Sequence, residues 1–479
     1  MYNLENKTLA ISPLFINNTL KGMAFSSKDK SIFIECDNDL EKKFKITRNT
    51  FIQNTINQAK RVIGYEYQSI VNHFELPNYR SIKSIFYNLN PSIRLKSIKD
   101  IMKVSDDYSR PDKFITIGDS YKNSLEFQKL VSNCIKEAQF IYGYYFENRN
   151  AYNSESVKLD NKLIKLLSYS PIIDLDTVEV KTLSVLYLTK QWDFEHEMWG
   201  ITGYPFNYIN EVDKKLIDSK LNNLYEEVNS LKAKYSNISD YKNCDRIEIK
   251  LDPVGSSTGR IICRDDFGVF TPASYHRNIF KSKKGYSFVE FDYKHQEATI
   301  IANITKDPVL VDVVNDDSLY EHIAKLSKLN TNEFRELGKN LFFSIVYGSK
   351  PDSLVKRFNI KPDNVNRIYN YINRKFPITS DYITKKFKVN LFGRKLHSNN
   401  FNSLIQSTAA DIIKYKLLEL KSIQLPVLIL SDALVFEISD EEIVTKVNKI
   451  KNILNNPINS IGEISPLLVK VSKNKTLKF

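Results

Sequence analysis

The chain has 479 residues, 42% hydrophobic and 26% charged, with a formal net charge of +13; it can bury large cores in two or three domains and favours a polyanionic partner. Cysteines 36, 134, 244 and 263 show no C-x-x-C spacing, which excludes a zinc ribbon or disulfide framework and predicts a reducing, cytoplasmic setting. The opening MYNLENKTLAISPLF lacks a basic n-region and a long apolar core, and no later stretch could span a bilayer, so neither a signal peptide nor a membrane partner is expected.

In chain order, β-like runs at residues 9–11, 23–25 and 32–36 precede helical patterns from Thr50 onward, an α/β order. Two helices are predicted next. One covers 177–199 and stops near Gly200; the other covers 211–235, with Ile217, Leu221, Leu224, Val228 and Leu231 spaced by four and three to pack on a neighbouring helix. Residues 286–298 read YSFVEFDYKHQEA. Phe288, Val289 and Phe291 predict a buried strand, and Tyr293, His295 and Glu297 open a helix. Asp292 then lies at a strand-to-helix corner, as an N-cap or as a metal-binding or catalytic carboxylate.

Residues 333–349 read EFRELGKNLFFSIVYGS, with Arg335, Lys339, Phe343 and Tyr347 at every fourth position. On a helix these form one inclined stripe. The cations suit phosphates and the rings suit bases, although a buried aromatic seam flanked by snorkelling cations has the same pattern. Residues 425–438, LPVLILSDALVFEI, are two apolar β runs broken by Ser431, Asp432 and Ala433, a hairpin with Asp432 at its tip. Aspartate in a tight turn is ordinary on its own.

Taken together and in this order, the three stretches resemble motifs A, B and C of family A DNA polymerases, the DNA polymerase I-like enzymes. The family's D-Y-S-Q-I-E-L-R corresponds to Asp292 through Thr299, its R-x3-K-x3-F-x3-Y-G to Arg335, Lys339, Phe343, Tyr347 and Gly348, and its H-D-E to Ser431, Asp432 and Ala433. Thr258, Gly259 and Arg260 reproduce the T-G-R ahead of motif A, while Asn402, Gln406 and TAADIIK (408–414) reproduce the helix ahead of motif C.

The resemblance implies an α/β (mixed α+β) right-hand polymerase. Residues 1–150 would form an inactive 3′–5′ exonuclease-like domain, 151–250 a reduced helical thumb, and 251–479 the palm sheet and helical fingers. It implies template-directed addition of dNTPs to a DNA primer, with Asp292 and Asp432 bridging two Mg²⁺ ions, or Mn²⁺ in their place. Lys339 acts as a catalytic cation on the triphosphate, Arg335 and Tyr320 meet the same group, and Phe343 and Tyr347 bound the base and sugar. Glu297 excludes the ribose 2′-hydroxyl. Single-subunit phage RNA polymerases lack that glutamate and phenylalanine, so deoxynucleotides are favoured. Arg260, Arg394, Asn402 and Gln406 contact the primer–template.

Several departures qualify these expectations. Residues 11–14 read ISPL where the exonuclease D-x-E should stand, and residues 64–70 offer Glu66 but no aspartate, leaving Asp119, or Tyr108 with Asp112, for the last exonuclease motif. Proofreading is therefore not expected. The short link from the predicted thumb helices to Thr258 implies a missing thumb tip and reliance on a processivity partner. Ser431, Ala433 and Thr299 replace a histidine, a glutamate and an arginine. A non-catalytic primer–template-binding factor on a polymerase scaffold is the alternative, whereas a helicase or motor is disfavoured by the lack of G-x4-G-K-[ST]. The Asn-, Ile- and Lys-rich vocabulary fits a phage or mobile-element gene in an AT-rich genome.

Overall fold

The three N-terminal β runs extend into the strands Thr8–Ile16, Thr19–Ser26 and Ser31–Glu35, an antiparallel meander. Asn17 and Asn18 turn the first hairpin with φ of 50° and 60°, the left-handed pair that a two-residue hairpin turn requires. The computed structural model describes residues 7–28, 30–36, 48–65, 67–91, 93, 97–105, 115–117, 124–203, 219–239, 241–263, 274–314, 318–329, 334–430, 432–458 and 467–471. Strands Arg61–Gly64 and Tyr79–Ser81 add parallel to one edge of the meander, and Ile115–Ile117 adds parallel to the other, completing a six-stranded mixed sheet. Helix Leu125–Asn148 lies across this sheet and packs Val131, Cys134, Ile135 and Ala138 against Leu14, Ala24 and Phe33. Glu66, Tyr108, Asp112 and Asp119 fall outside the described residues.

Two long helices follow. Thr177–Thr202 starts where the Asp176 carboxylate accepts hydrogen bonds from the Val178 and Glu179 N–H groups, and ends at Gly203 with φ of 71°. The stop predicted at Gly200 is three residues early, because Gly203 is the residue that takes the left-handed C-terminal conformation. Its partner is Ser219–Ser239, where Leu224 and Val228 pack with Met198 as the four-and-three spacing predicts. Residues 211–218 of the predicted second helix lie outside the described ones.

The C-terminal half is built on a four-stranded antiparallel sheet ordered Leu428–Leu430, Ala433–Ser439, Tyr286–Tyr293, Leu467–Val471. Both central strands are apolar throughout most of their length, and Phe291 and Phe436 meet edge to face at 5.4 Å. This sheet shares one core with helix Phe401–Leu420, through Ile413, Leu417 and Leu420. A separate helical core surrounds Phe334–Val346. There the helix Ser318–Ser327 comes so close that a Cβ at Gly338 would sit 1.7 Å from the Tyr320 carbonyl oxygen. Glycine is required at that crossing because any side chain would separate the two helices.

Candidate active site

Asp292 is not at a corner. It lies within the central strand, paired with Ala433 on one side and Leu468 on the other. The helix begins only at Gln296, after His295 turns the chain with φ of 58°. The hairpin forms, but the break is shorter than the three residues expected: Ala433 already pairs with Leu430 and opens the second strand. Opposed Cα atoms in such a ladder are about 4.5–5.5 Å apart, and Asp432 directly precedes the residue opposite Asp292. Register therefore brings the backbones of the two aspartates to one end of the sheet.

Burial pushes the Asp432 carboxyl above its ordinary value, its own backbone and the Lys339 and Arg260 charges pull it down, and Glu290 pushes it up. Lys339 from the helix Phe334–Val346 and Arg260 from the T-G-R loop thus share an electrostatic neighbourhood with the hairpin aspartate. Among the described residues no group of three or more His, Cys, Asp or Glu side chains gathers that could hold a metal ion, so the two aspartates are candidate cation ligands by their chemistry alone. Their donors are hard carboxylate oxygens, and a bound cation would relieve the charge confinement that raises Asp432. Glu290 was not anticipated from the sequence. It is 3% exposed, two positions before Asp292 on the same strand face, with Arg277 at 3.7 Å. A glutamate inside the otherwise apolar run FVEF was the available signal.

The predicted stripe forms as a helix from Phe334 to Val346, and Tyr347 still donates its backbone N–H to the Phe343 carbonyl at 2.9 Å. Phe343 and Tyr347 stack with centroids 5.6 Å apart, while Lys339 and Arg335 are partly exposed, the latter 3.5 Å from Glu336. The Tyr347 hydroxyl donates to one oxygen of Glu297 at 2.5 Å, and Arg260 donates to the other at 3.2 Å. Burial, followed by the Glu297 charge, holds the Tyr347 phenol protonated by raising it well above its ordinary range. Glu297 is therefore gripped from both sides. Asn402 and Gln406 lie one turn apart on the helix Phe401–Leu420 and are partly exposed where Phe401, Ser403, Leu404, Ile405 and Ser407 are buried.

Two of the expected contacts are placed elsewhere. Tyr320 is 2% exposed, packed among His295, Phe342 and Phe343. It packs against Phe343 of the stripe with almost no exposed surface. Arg394, expected at the primer–template, is 2% exposed and donates to both oxygens of Asp160 at 2.7 and 2.8 Å and to Asp411 at 2.7–3.0 Å. Lys414 completes the cluster, donating to Asp160 at 2.6 Å. Its donors are committed to these carboxylates, which removes it from the set available to DNA.

Arg394→Ala is expected to cost about 3–5 kcal/mol, read as a lower urea midpoint, because it strands buried carboxylates. Burial alone would raise the Asp160 carboxyl, but Arg394 and Lys414 outweigh it and hold it below the ordinary value. Its contribution to stability is therefore present above the usual carboxylate pKa of about 3.9 and is lost as pH falls through the depressed value.

The family described as DNA polymerase family A matches residues 213–395. That span includes Arg260, Asp292, Glu297 and the stripe but ends before Asp432. The DNA polymerase I of Borreliella burgdorferi is 25% identical over 229 residues, covering 40% of this chain and 25% of that protein. The DNA polymerase I of Aquifex aeolicus is 26% identical over 50% of this chain and 47% of its own length, and that of Helicobacter pylori is 22% identical over 64% and 40%. The chain thus spans a quarter to a half of the length of these curated relatives. A solved structure described as the POL domain of Pol1 from M. smegmatis in complex with DNA primer-template and dNTP superposes with a TM-score of 0.71 at 15% identity, covering 99% of this chain and 96% of that one. Among the described residues no helix is long and apolar enough to cross a membrane. The chain therefore shares the fold of that solved polymerase domain, and its residues 213–395 match the model of DNA polymerase family A.

Proposed function

We propose that the protein is a template-directed DNA polymerase that adds dNTPs to a primer 3′ end without proofreading. The observation that supports this reading is the register in which Asp432 directly precedes the residue opposite Asp292, with Lys339 and Arg260 close enough to shift the Asp432 carboxyl. Asp292 and Asp432 would hold two Mg²⁺ ions, or Mn²⁺ in their place. When bound, such ions lower the pKa of the primer hydroxyl and neutralise charge on the leaving pyrophosphate. Lys339 acts as a point charge and Arg335 as a fork on the triphosphate. The stacked Phe343 and Tyr347 bound the base and sugar. Asn402 and Gln406, with Arg260, face the primer–template. Ala433 and Ser431 stand where the family carries glutamate and histidine, so a lower rate than that of a full motif is part of this reading.

The test is extension of a 5′-labelled primer on a DNA template with dNTPs and Mg²⁺. Extension supports the reading, and short products would report a reduced thumb and reliance on a processivity partner. Tight DNA binding with no extension in Mg²⁺ or Mn²⁺ would instead favour the non-catalytic binding factor.

The N-terminal domain is read as an inactive exonuclease scaffold. Where a metal-binding carboxylate would lie on the first strand, Ser12 donates to Glu137 at 2.8 Å, and burial raises the Glu137 carboxyl. Among the described residues that strand offers a serine in place of a carboxylate, and one carboxyl is a poor clamp for two metal ions. A 3′-mismatched primer incubated with the protein and Mg²⁺ but no dNTPs is expected to keep its full length. Shortening at a rate comparable to extension would overturn this assignment.

A further inference from the structure

We propose that the buried Lys83–Asp252 ion pair and the Arg394–Asp160 pair are positioning devices for the loop that carries Arg260, so that the N-terminal domain serves as a mount for the polymerase site. This inference rests on the polymerase reading for its kinetic consequence, but not for its structural one.

The loop belongs to a minimal hairpin. Strands Leu251–Asp252 and Ile262–Cys263 pair through Asp252 with Ile262 and Leu251 with Cys263. Two-residue strands contribute too little to define an orientation by themselves. Inside the loop, Ser256 Oγ donates to the Arg260 carbonyl at 2.9 Å and the Gly259 N–H donates to the Ser256 carbonyl at 3.0 Å. These bonds shape the loop without fixing where it points. Its placement must come from outside.

Two buried charge contacts supply that placement. At the base, Lys83 Nζ donates to Asp252 Oδ2 at 2.5 Å, with both side chains 6–7% exposed, while Asp252 Oδ1 accepts the Val254 N–H at 2.9 Å. Lys83 stands in the first turn of the helix Ile82–Leu89, in the N-terminal domain, which is capped by Ser81. At the tip, Gly259 has φ of 80°, and a Cβ there would lie 3.1 Å from Arg394 Nε. The guanidinium therefore covers that glycine. Arg394 is in turn fixed by Asp160 on the helix Glu155–Leu166. Tyr87, one turn beyond Lys83, sits beside the Gly259 amide.

Held at base and tip, the loop directs Arg260 to Glu297 and toward Asp432. An apolar contact of equal volume would stabilise the junction as well or better than a buried ion pair, but it would permit sliding. Directional charge pairs fix register. That property gives a reason for the N-terminal domain to send a lysine and a tyrosine to the T-G-R loop.

The variant Lys83→Met with Asp252→Asn removes both charges and keeps an acceptor for Val254. Amides at 252–262 are expected to exchange at least about tenfold faster, with those of the strand Tyr286–Tyr293 unchanged. Its kcat/KM for dNTP addition is expected to fall about tenfold beside an intact Arg260, yet less than about twofold in an Arg260→Ala background, because the pair acts through that arginine. Lys83→Arg should restore most of the loss. Unchanged loop exchange, or an equal kinetic loss in both backgrounds, would overturn the proposal. If the wild type itself extends no primer, the polymerase reading fails, and the exchange measurement alone decides whether the N-terminal domain holds the loop.

Discussion

Asp292→Ala and Asp432→Ala are each expected to lower primer extension by about 10³-fold or more, because the metal-held charge stabilisation they support is worth several kcal/mol and each 1.36 kcal/mol is tenfold in rate. The two carboxylates belong to opposed strands, Asp292 facing Ala433 and Asp432 immediately preceding it, so neither can substitute for the other by a side-chain rotation. Asp432→Ala should also relieve a charge that burial opposes, since the hairpin carboxyl is raised in the folded protein. The folded state thus holds its proton more tightly than the unfolded chain does. The destabilising effect of ionised Asp432 is absent below the ordinary carboxylate pKa and fully present above the raised one. Loss of extension without loss of thermal stability at neutral pH is accordingly the expected signature. A variant that extends normally would remove the aspartate pair from the mechanism, and one that loses activity only by unfolding would leave the role of the carboxylate unsupported.

Glu297→Ala is expected to relax sugar selection by about 10²-fold, equivalent to about 2.7 kcal/mol of lost discrimination. The Tyr347 hydroxyl and the Arg260 guanidinium hold one Glu297 oxygen each, which keeps the carboxylate from swinging aside. A wall fixed at two points can exclude a hydroxyl by sterics, whereas a freely rotating side chain would yield. The measurement is the ratio of kcat/KM for dNTP and rNTP on one template, with Tyr347→Phe as an intermediate case that removes one of the two holds. A ratio unchanged by Glu297→Ala would show that selection resides in another contact of the sugar.

Much of the site was legible before the fold was known, because its parts are local. The four-residue spacing from Arg335 to Tyr347 defines a stripe wherever a helix forms, and that helix runs as expected. The hairpin around Asp432 also forms, although Ala433, read as part of its break, pairs with Leu430 and belongs to the second strand. The pair of long helices likewise follows from periodicity, and the mixed α+β architecture agrees with what the family resemblance implied. Local signals were less exact at element ends. Gly200 looked like a helix stop, but Gly203 is the residue that adopts the left-handed conformation, and Asp292 sits inside its strand because pairing on both sides extends that strand to Tyr293.

By itself the sequence determined which residues are candidates for the chemistry and, for the stripe and the hairpin, on what kind of element they stand, since side-chain identity and backbone periodicity are properties of short segments. Only the tertiary structure decided which charges face a ligand and which face one another. Arg394 reads as one more basic residue in a basic chain, but Asp160 is brought to it from 234 positions away, and burial makes that pairing obligatory. Lys83 and Asp252 meet across 169 positions for the same reason. A charge removed from water must find its partner wherever the fold supplies one, and no local pattern states where that will be.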